Sequence, residues 1–254
     1  MIEVRNVYKS FDEIEVLKDV STIFETGKTN LIIGKSGSGK TVLMKCVVGI
    51  HKINSGEILC DGRDITRLRR KERNLFRREV GMLFQGSALF DSMTVLENVL
   101  FPLEMFSYES EEVRKKRAIF CLERVELGHA LNLYPSEISG GMQKRAAIAR
   151  AIVLNPTYLF CDEPNSGLDP QTALLIDKLI QEITHEFNIT TVINTHDMNS
   201  VMEIGENIVF IHNGEKAWQG TKDEIYNTGC ESLEEFVFAS ELYKKIKIAH
   251  EQLK

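Results

Sequence analysis

A chain of 254 residues, 43% hydrophobic and 27% charged, can fill a sizeable core, which excludes a disordered or fibrous protein. Its formal net charge of -6 argues against broad nucleic-acid binding, which draws on a basic surface. Five cysteines, at 46, 60, 121, 161 and 230, match neither zinc spacing nor a Cys-x-x-Cys pair, and no stretch approaches the roughly 18 apolar residues of a membrane span. The expectation is a reduced, cytoplasmic protein whose membrane role, if any, runs through a partner.

Met1-Ile2-Glu3-Val4-Arg5 begins in strand-like alternation rather than as a signal peptide. Residues 2–8 and 16–24 read as short strands rich in Val, Ile and Phe, and Thr26-Gly27-Lys28 as a turn. Thr29 to Ile33 reads as a buried strand, followed by a glycine-rich loop and a helix from about Lys40. Asn54-Ser55-Gly56 and Asp61-Gly62-Arg63 are turn signals around a strand from Glu57 to Cys60. The basic run Arg67 to Arg78 reads as a solvated helix, and Val80 to Phe84 as a strand. Residues 94–134 carry helical periodicity and dense charge, most of it between Glu109 and Arg117. Thr157 to Cys161 and Thr190 to Asn194 are apolar, β-rich runs between helical stretches. Alternating strands and helices predict an α/β fold with a mostly parallel sheet, an antiparallel N-terminal β-subdomain and an inserted helical subdomain at about 90–150.

Gly34-Lys35-Ser36-Gly37-Ser38-Gly39-Lys40-Thr41 fits G-x-x-x-x-G-K-[ST], between a strand and a helix. Glycines let successive backbone N–H groups turn inward as an anion nest, and the following helix points its positive end at the phosphates. Lys40 adds a point charge and Thr41 a hydroxyl for Mg²⁺. Tyr158-Leu159-Phe160-Cys161-Asp162-Glu163 is an apolar strand ending in two acids, at the sheet edge where α/β folds place ligands. Asp162 is the expected Mg²⁺ ligand, and Glu163 the expected general base.

Ser139-Gly140-Gly141-Met142-Gln143, opening a helix shortly before the Asp162-Glu163 strand, resembles the signature of ABC ATPases. Other landmarks follow in family order. Phe11 stands where an aromatic stacks on adenine, and Gln85 where the Q-loop glutamine stands. Asn165-Ser166-Gly167-Leu168-Asp169 looks like the D-loop, and His196 like the switch histidine. The resemblance covers about residues 2 to 225 and implies a homodimer that sandwiches ATP head to tail. Ser139, Gly140, Gly141, Met142 and Asp169 would then contact nucleotide, His196 the γ-phosphate, and Gln85 both Mg²⁺ and the membrane partner. Ile138, Met142, Gly167 and Phe11 depart from the commonest residues, and none of them removes a charged catalytic group.

The run Arg78 to Val95 looks like that of the Mla and Mkl ATPases paired with MCE-domain lipid transporters. That implies an integral-membrane permease, an MCE-domain protein, possible recruitment of a small accessory protein, and phospholipid cargo moved across the bacterial envelope. The alternative is an importer of amino acids or other polar solutes. A chromosome ATPase would need a long coiled coil between the phosphate loop and the signature, and a translation factor two nucleotide domains. Retained Glu163 and His196 speak against a non-hydrolysing module. Residues 1–228 read as the ATPase domain and 229–254 as a helical tail. Its stripe of Leu233, Phe236, Val237, Tyr243, Ile246, Ala249 and Leu253 is expected to be buried, either on its own domain or across an interface, the interface being the reading chosen.

Overall fold

The computed structural model describes residues 1–238. In chain order the elements are β1 (Ile2–Phe11), β2 (Ile14–Phe24), β3 (Thr29–Ile33), α1 (Lys40–Val47), β4 (Ser55–Cys60), β5 (Arg63–Asp64), α2 (Arg70–Phe76), β6 (Val80–Leu83), α3 (Val95–Phe106), α4 (Glu111–Arg124), α5 (Gly140–Ile152), β7 (Tyr158–Asp162), α6 (Pro170–Glu186), β8 (Thr190–Asn194), α7 (Met198–Ile204), β9 (Asn207–His212), β10 (Glu215–Gly220) and α8 (Glu231–Val237). The chain divides into two compact units, one formed by Met1–Arg67 with the segment from Asn194 onward, the other by Leu68–Ile193.

In the first unit an antiparallel sheet runs in the order β2-β1-β4-β5. Both predicted N-terminal strands are longer than read, because Asp12, at φ 50, closes a tight turn that lets pairing continue to Phe11↔Ile14. Alternation buries Ile2 and Val4 of β1 and Val20 and Phe24 of β2, and register shifts beside Asn6 and Asp19, both at positive φ, bury Val7 and Leu17 as well. A second row runs β10-β9-β3, with β9 parallel to β3 and β10 antiparallel to β9. Every residue of β3 is buried, as an apolar run in a parallel sheet requires. Asn213 and Gly214, both at positive φ, join β9 to β10. Polar side chains stitch the two rows together: Thr22 Oγ1 donates to Gln219 Oε1 at 2.9 Å, and Asn207 Nδ2 to Ile23 O at 2.9 Å.

The C-terminal stripe is corrected in part. Leu233, Val237 and Phe238 are buried within the first unit, and the Phe236 ring lies 5.5 Å from that of Phe210. This portion packs on its own unit rather than at an interface. Tyr243, Ile246, Ala249 and Leu253 lie outside the described residues.

In the second unit β8, β7 and β6 run in that order, β6 parallel to β7. The helical block is not continuous. α3 is capped by Thr94, whose hydroxyl accepts from Glu97 N while the Glu97 carboxylate accepts from Thr94 N. It ends before Ser107, and α4 restarts under the Ser110 cap. Residues 125–139 are irregular except for one short turn of helix at Pro135–Glu137. Arg124 of α4 pairs with Glu186 at 2.7 Å and Glu182 at 3.2 Å on α6. Gly81 lets α5 approach β6 closely, since a Cβ there would lie 2.4 Å from Ala151 O.

Candidate active site

The phosphate loop belongs to the first unit. Gly34, at φ 149, passes against β9, where an added Cβ would lie 2.3 Å from Ile211 O. Gly37 and Gly39 hold φ 79 and 105, left-handed values that only glycine adopts without strain. Lys35 and Ser36 are exposed on the outer turn, while Ser38 and Lys40 are buried. Lys40 Nζ donates to Gly34 O at 2.9 Å and Lys35 O at 3.0 Å, so the ammonium braces the loop it closes. Ser38 Oγ is buried with no hydrogen-bond partner among the described residues. A hydroxyl in that state at a helix N-terminus suits an anionic ligand such as phosphate.

Three further predicted or neighbouring groups lie in this unit. Thr41 Oγ1 accepts from Asn194 Nδ2 at 3.0 Å, the last residue of β8. Phe11 is 39% exposed, its ring meeting His51 edge-on at 5.3 Å, with Lys9 Nζ 4.5 Å from its centroid. Burial, then the charges of Lys45 and Lys9, lower the His51 pKa. His196 is exposed between β8 and α7.

The second unit carries Gln85, Ser139–Met142, Asp162, Glu163 and Asp169, and of these Gln85 and Glu163 are in direct contact. Glu163 follows β7 at φ 47, a left-handed backbone for a non-glycine residue. Gln85 Nε2 donates to Glu163 Oε2 at 3.0 Å and to Ser166 Oγ at 3.4 Å. Ser139 caps α5, its hydroxyl accepting from Met142 N at 3.3 Å. Gly140 and Gly141 form the first turn, and a Cβ on Gly141 would lie 2.7 Å from Thr172 Cγ2. Met142 lines a cavity of about 360 Å³ with Leu175, Ile176 and Leu179. Asp169 caps α6, accepting from Gln171 N at 3.1 Å and Thr172 N at 3.0 Å. Hydrogen bonds from Thr172, then Gln171, hold its carboxyl below the ordinary range.

Taken unit by unit, the candidate oxygens are of the type that Mg²⁺ prefers. Thr41 offers a hydroxyl oxygen already oriented by Asn194, Asp162 a half-buried carboxylate, and Gln85 an amide oxygen whose nitrogen is engaged elsewhere. Among the described residues no cluster of three His, Cys, Asp or Glu side chains could hold a metal alone. Few protein ligands and reliance on substrate phosphates are usual for this cation.

Sequence reasoning missed Asn194, Lys144 and Arg150. Asn194 is a polar residue ending an otherwise apolar buried strand, which is itself a signal. Lys144 Nζ donates to the Gln85 backbone carbonyl, and Arg150 donates to Ser87 O and Ala88 O at 2.7 Å each. Both interrupt the apolar face of α5. Among the described residues no helix is long and apolar enough to cross a membrane.

A family model described as "ABC transporter" matches residues 17–166. The chain is 38% identical over 237 residues to the methionine import ATP-binding protein MetN of Clostridioides difficile, spanning 93% of this chain and 74% of that protein. It is 41% identical over 229 residues to MetN of Carboxydothermus hydrogenoformans, spanning 89% and 68%. Among solved structures it resembles the dimeric MJ0796 ABC transporter cassette, at TM-score 0.79 and 35% identity, covering 87% of this chain and 99% of that one. It also resembles cbiO1 from Clostridium perfringens, part of the ABC transporter complex cbiONQ, at TM-score 0.84 and 29% identity, covering 98% of each. The two MetN relatives are named as methionine import proteins rather than as MCE-type lipid transporters, which reverses the order in which the sequence ranked the two. With its phosphate loop, capped signature helix and paired acids in family order, the chain belongs to the ABC transporter ATPases and is an ATP-hydrolysing subunit of that kind.

Proposed function

We propose that this subunit drives import of a small polar solute of the amino-acid class, methionine foremost. The observation that carries this is the 38–41% identity to methionine import ATP-binding proteins over about nine-tenths of the chain. The subunit works as a homodimer, a reading supported by the dimeric cassette it resembles, held on the cytoplasmic face of the cell membrane by a permease that a solute-binding protein loads.

The chemistry divides among the residues described. Lys40, Ser38 and the α1 N-terminus bind the nucleotide phosphates, and Phe11 stacks on the base. Thr41, Asp162 and Gln85 would hold Mg²⁺, which when bound would supply charge neutralisation. Glu163 takes a proton from water while the water oxygen attacks the γ-phosphorus, and the bond to the β–γ bridging oxygen breaks to leave ADP and phosphate. Gln85 holds the Glu163 carboxylate in place. His196 contacts the γ-phosphate, and Ser139, Gly140 and Gly141 present a second anion site to the nucleotide of the other subunit.

A second reading, phospholipid transport with an MCE-domain protein, rests on one observation, the run Arg78 to Val95. Reconstitution of the assembled transporter separates the two. The importer reading expects ATP-dependent uptake of labelled methionine and stimulation of ATPase activity by the loaded solute-binding protein. Bound phospholipid and lipid-stimulated hydrolysis, with no amino-acid uptake, would overturn it.

A further inference from the structure

The loop that follows β6 is held by two cations whose placement calls for explanation. Ser87 and Ala88 lie at φ 60 and 51, in the left-handed region that L side chains disfavour, although neither is glycine. Ser87 is buried, and Ala88 N closes back on Gly86 O at 2.6 Å. The Arg150 guanidinium takes both strained carbonyls at once, Nη2 on Ser87 O and Nη1 on Ala88 O, each at 2.7 Å. Two residues earlier in the same loop, Lys144 Nζ takes Gln85 O.

Lys144 is 5% exposed, and burial lowers the pKa values of both Lys144 and Arg150. No carboxylate lies within ion-pairing distance of either one among the described residues. A buried cation such as Lys144 without an ion pair is costly unless its hydrogen bonds compensate, and Arg150 beside it is half-buried. Here those bonds go to three backbone carbonyls of one loop. Both residues stand on α5, the helix whose first turn is Ser139-Gly140-Gly141. The loop they grip carries Gln85, which in turn holds Glu163 at 3.0 Å.

We propose that Lys144 and Arg150 are positioning residues that transmit the placement of the signature helix into the strained Gln85–Ala88 loop and so set the Gln85–Glu163 contact. A shift of α5 moves both cations, and the loop, being strained, relaxes when either lets go. The orientation of the base thereby depends on the state of the signature turn. This rests on the reading of Glu163 as general base.

The test is steady-state ATPase kinetics of the assembled transporter, with nucleotide affinity and melting temperature measured alongside. Lys144→Met keeps the stem and removes the ammonium. It should lower kcat about ten-fold, the size of a lost charge-assisted hydrogen bond, with KM for ATP and nucleotide affinity unchanged. Lys144→Arg should restore most of the loss. Wild-type kcat in Lys144→Met, or a loss that follows melting temperature and KM together, overturns the proposal. A second measurement stands should Lys144→Met fail to fold. Arg150→Lys removes the fork but keeps the charge, and should lower kcat more in the native loop than in a Ser87→Gly/Ala88→Gly background, where left-handed backbone is unstrained. Additive effects in that cycle overturn the proposal. Glu163→Gln, assayed in parallel, separates the two levels. If it hydrolyses like wild type, the base assignment fails; if it is inactive while Lys144→Met is unaffected, only the positioning role fails.

Discussion

Gln85 Nε2 donates to Glu163 Oε2 at 3.0 Å, so the residue at the end of β6 holds a carboxylate that follows β7. The neighbouring strands run parallel, which brings their carboxyl ends to one edge. Removing the amide frees the Glu163 side chain to rotate. Gln85→Ala should lower kcat about ten-fold while nucleotide affinity changes little, measured by ATPase kinetics beside a fluorescent-nucleotide titration. An affinity loss without a kcat loss would assign Gln85 to binding instead.

Lys40 is buried and donates to two carbonyls of its own loop. Lys40→Ala therefore removes both a brace and a phosphate-directed charge. Nucleotide affinity should fall about ten- to a hundred-fold, as for a lost hydrogen bond to a charged group. Equilibrium nucleotide binding by the purified subunit checks this, and unchanged affinity would contradict it.

The signature turn packs on α6 with no room for a methyl group. Gly141→Ala should cost about 1–3 kcal/mol of stability through overpacking against Thr172 Cγ2, 2.7 Å from the added Cβ. Thr172→Ser removes that methyl and retains the hydroxyl and backbone N–H. The double variant should recover most of the loss in a denaturation cycle. Additive losses would show that the contact is relieved some other way.

Asp169 caps α6, and its carboxyl pKa is depressed below the ordinary 3.8. A depressed folded-state pKa contributes stability that is present above the unfolded value and lost as pH falls through the folded one. Asp169→Ala should therefore melt below wild type at neutral pH, and the two melting temperatures should converge as pH falls below 3.8. A difference constant across that range would show that the carboxylate charge contributes nothing to the cap.

The phosphate loop, the paired acids and the signature were legible because each is a local pattern with a local physical cause: glycine at positive φ, acids ending an apolar strand, serine capping a helix. The β1–β2 strands were legible as alternation, though their turn was read too wide. The β9–β10 turn was legible but unread; Asn213-Gly214 is a two-residue hairpin signal. The break between α3 and α4 was announced by Ser110 followed by acids, and the charge run across it obscured the boundary. Lys144 and Arg150 were not legible, because their partners are backbone carbonyls some 60 residues away in sequence. The cavity beside Met142 was not legible either, since residues from α4 to α6 line it together. Cargo was least legible, because the described motifs act on nucleotide, and a resemblance over one loop stood against similarity over most of the chain.

The central claim is that this chain hydrolyses ATP with Glu163 as the base. Glu163→Gln keeps the side-chain volume and removes the capacity to accept the proton. In the assembled transporter its ATPase rate should fall about 10²- to 10⁴-fold with ATP binding retained, and the ATP-bound dimer should accumulate. Hydrolysis by Glu163→Gln at the wild-type rate would contradict the account.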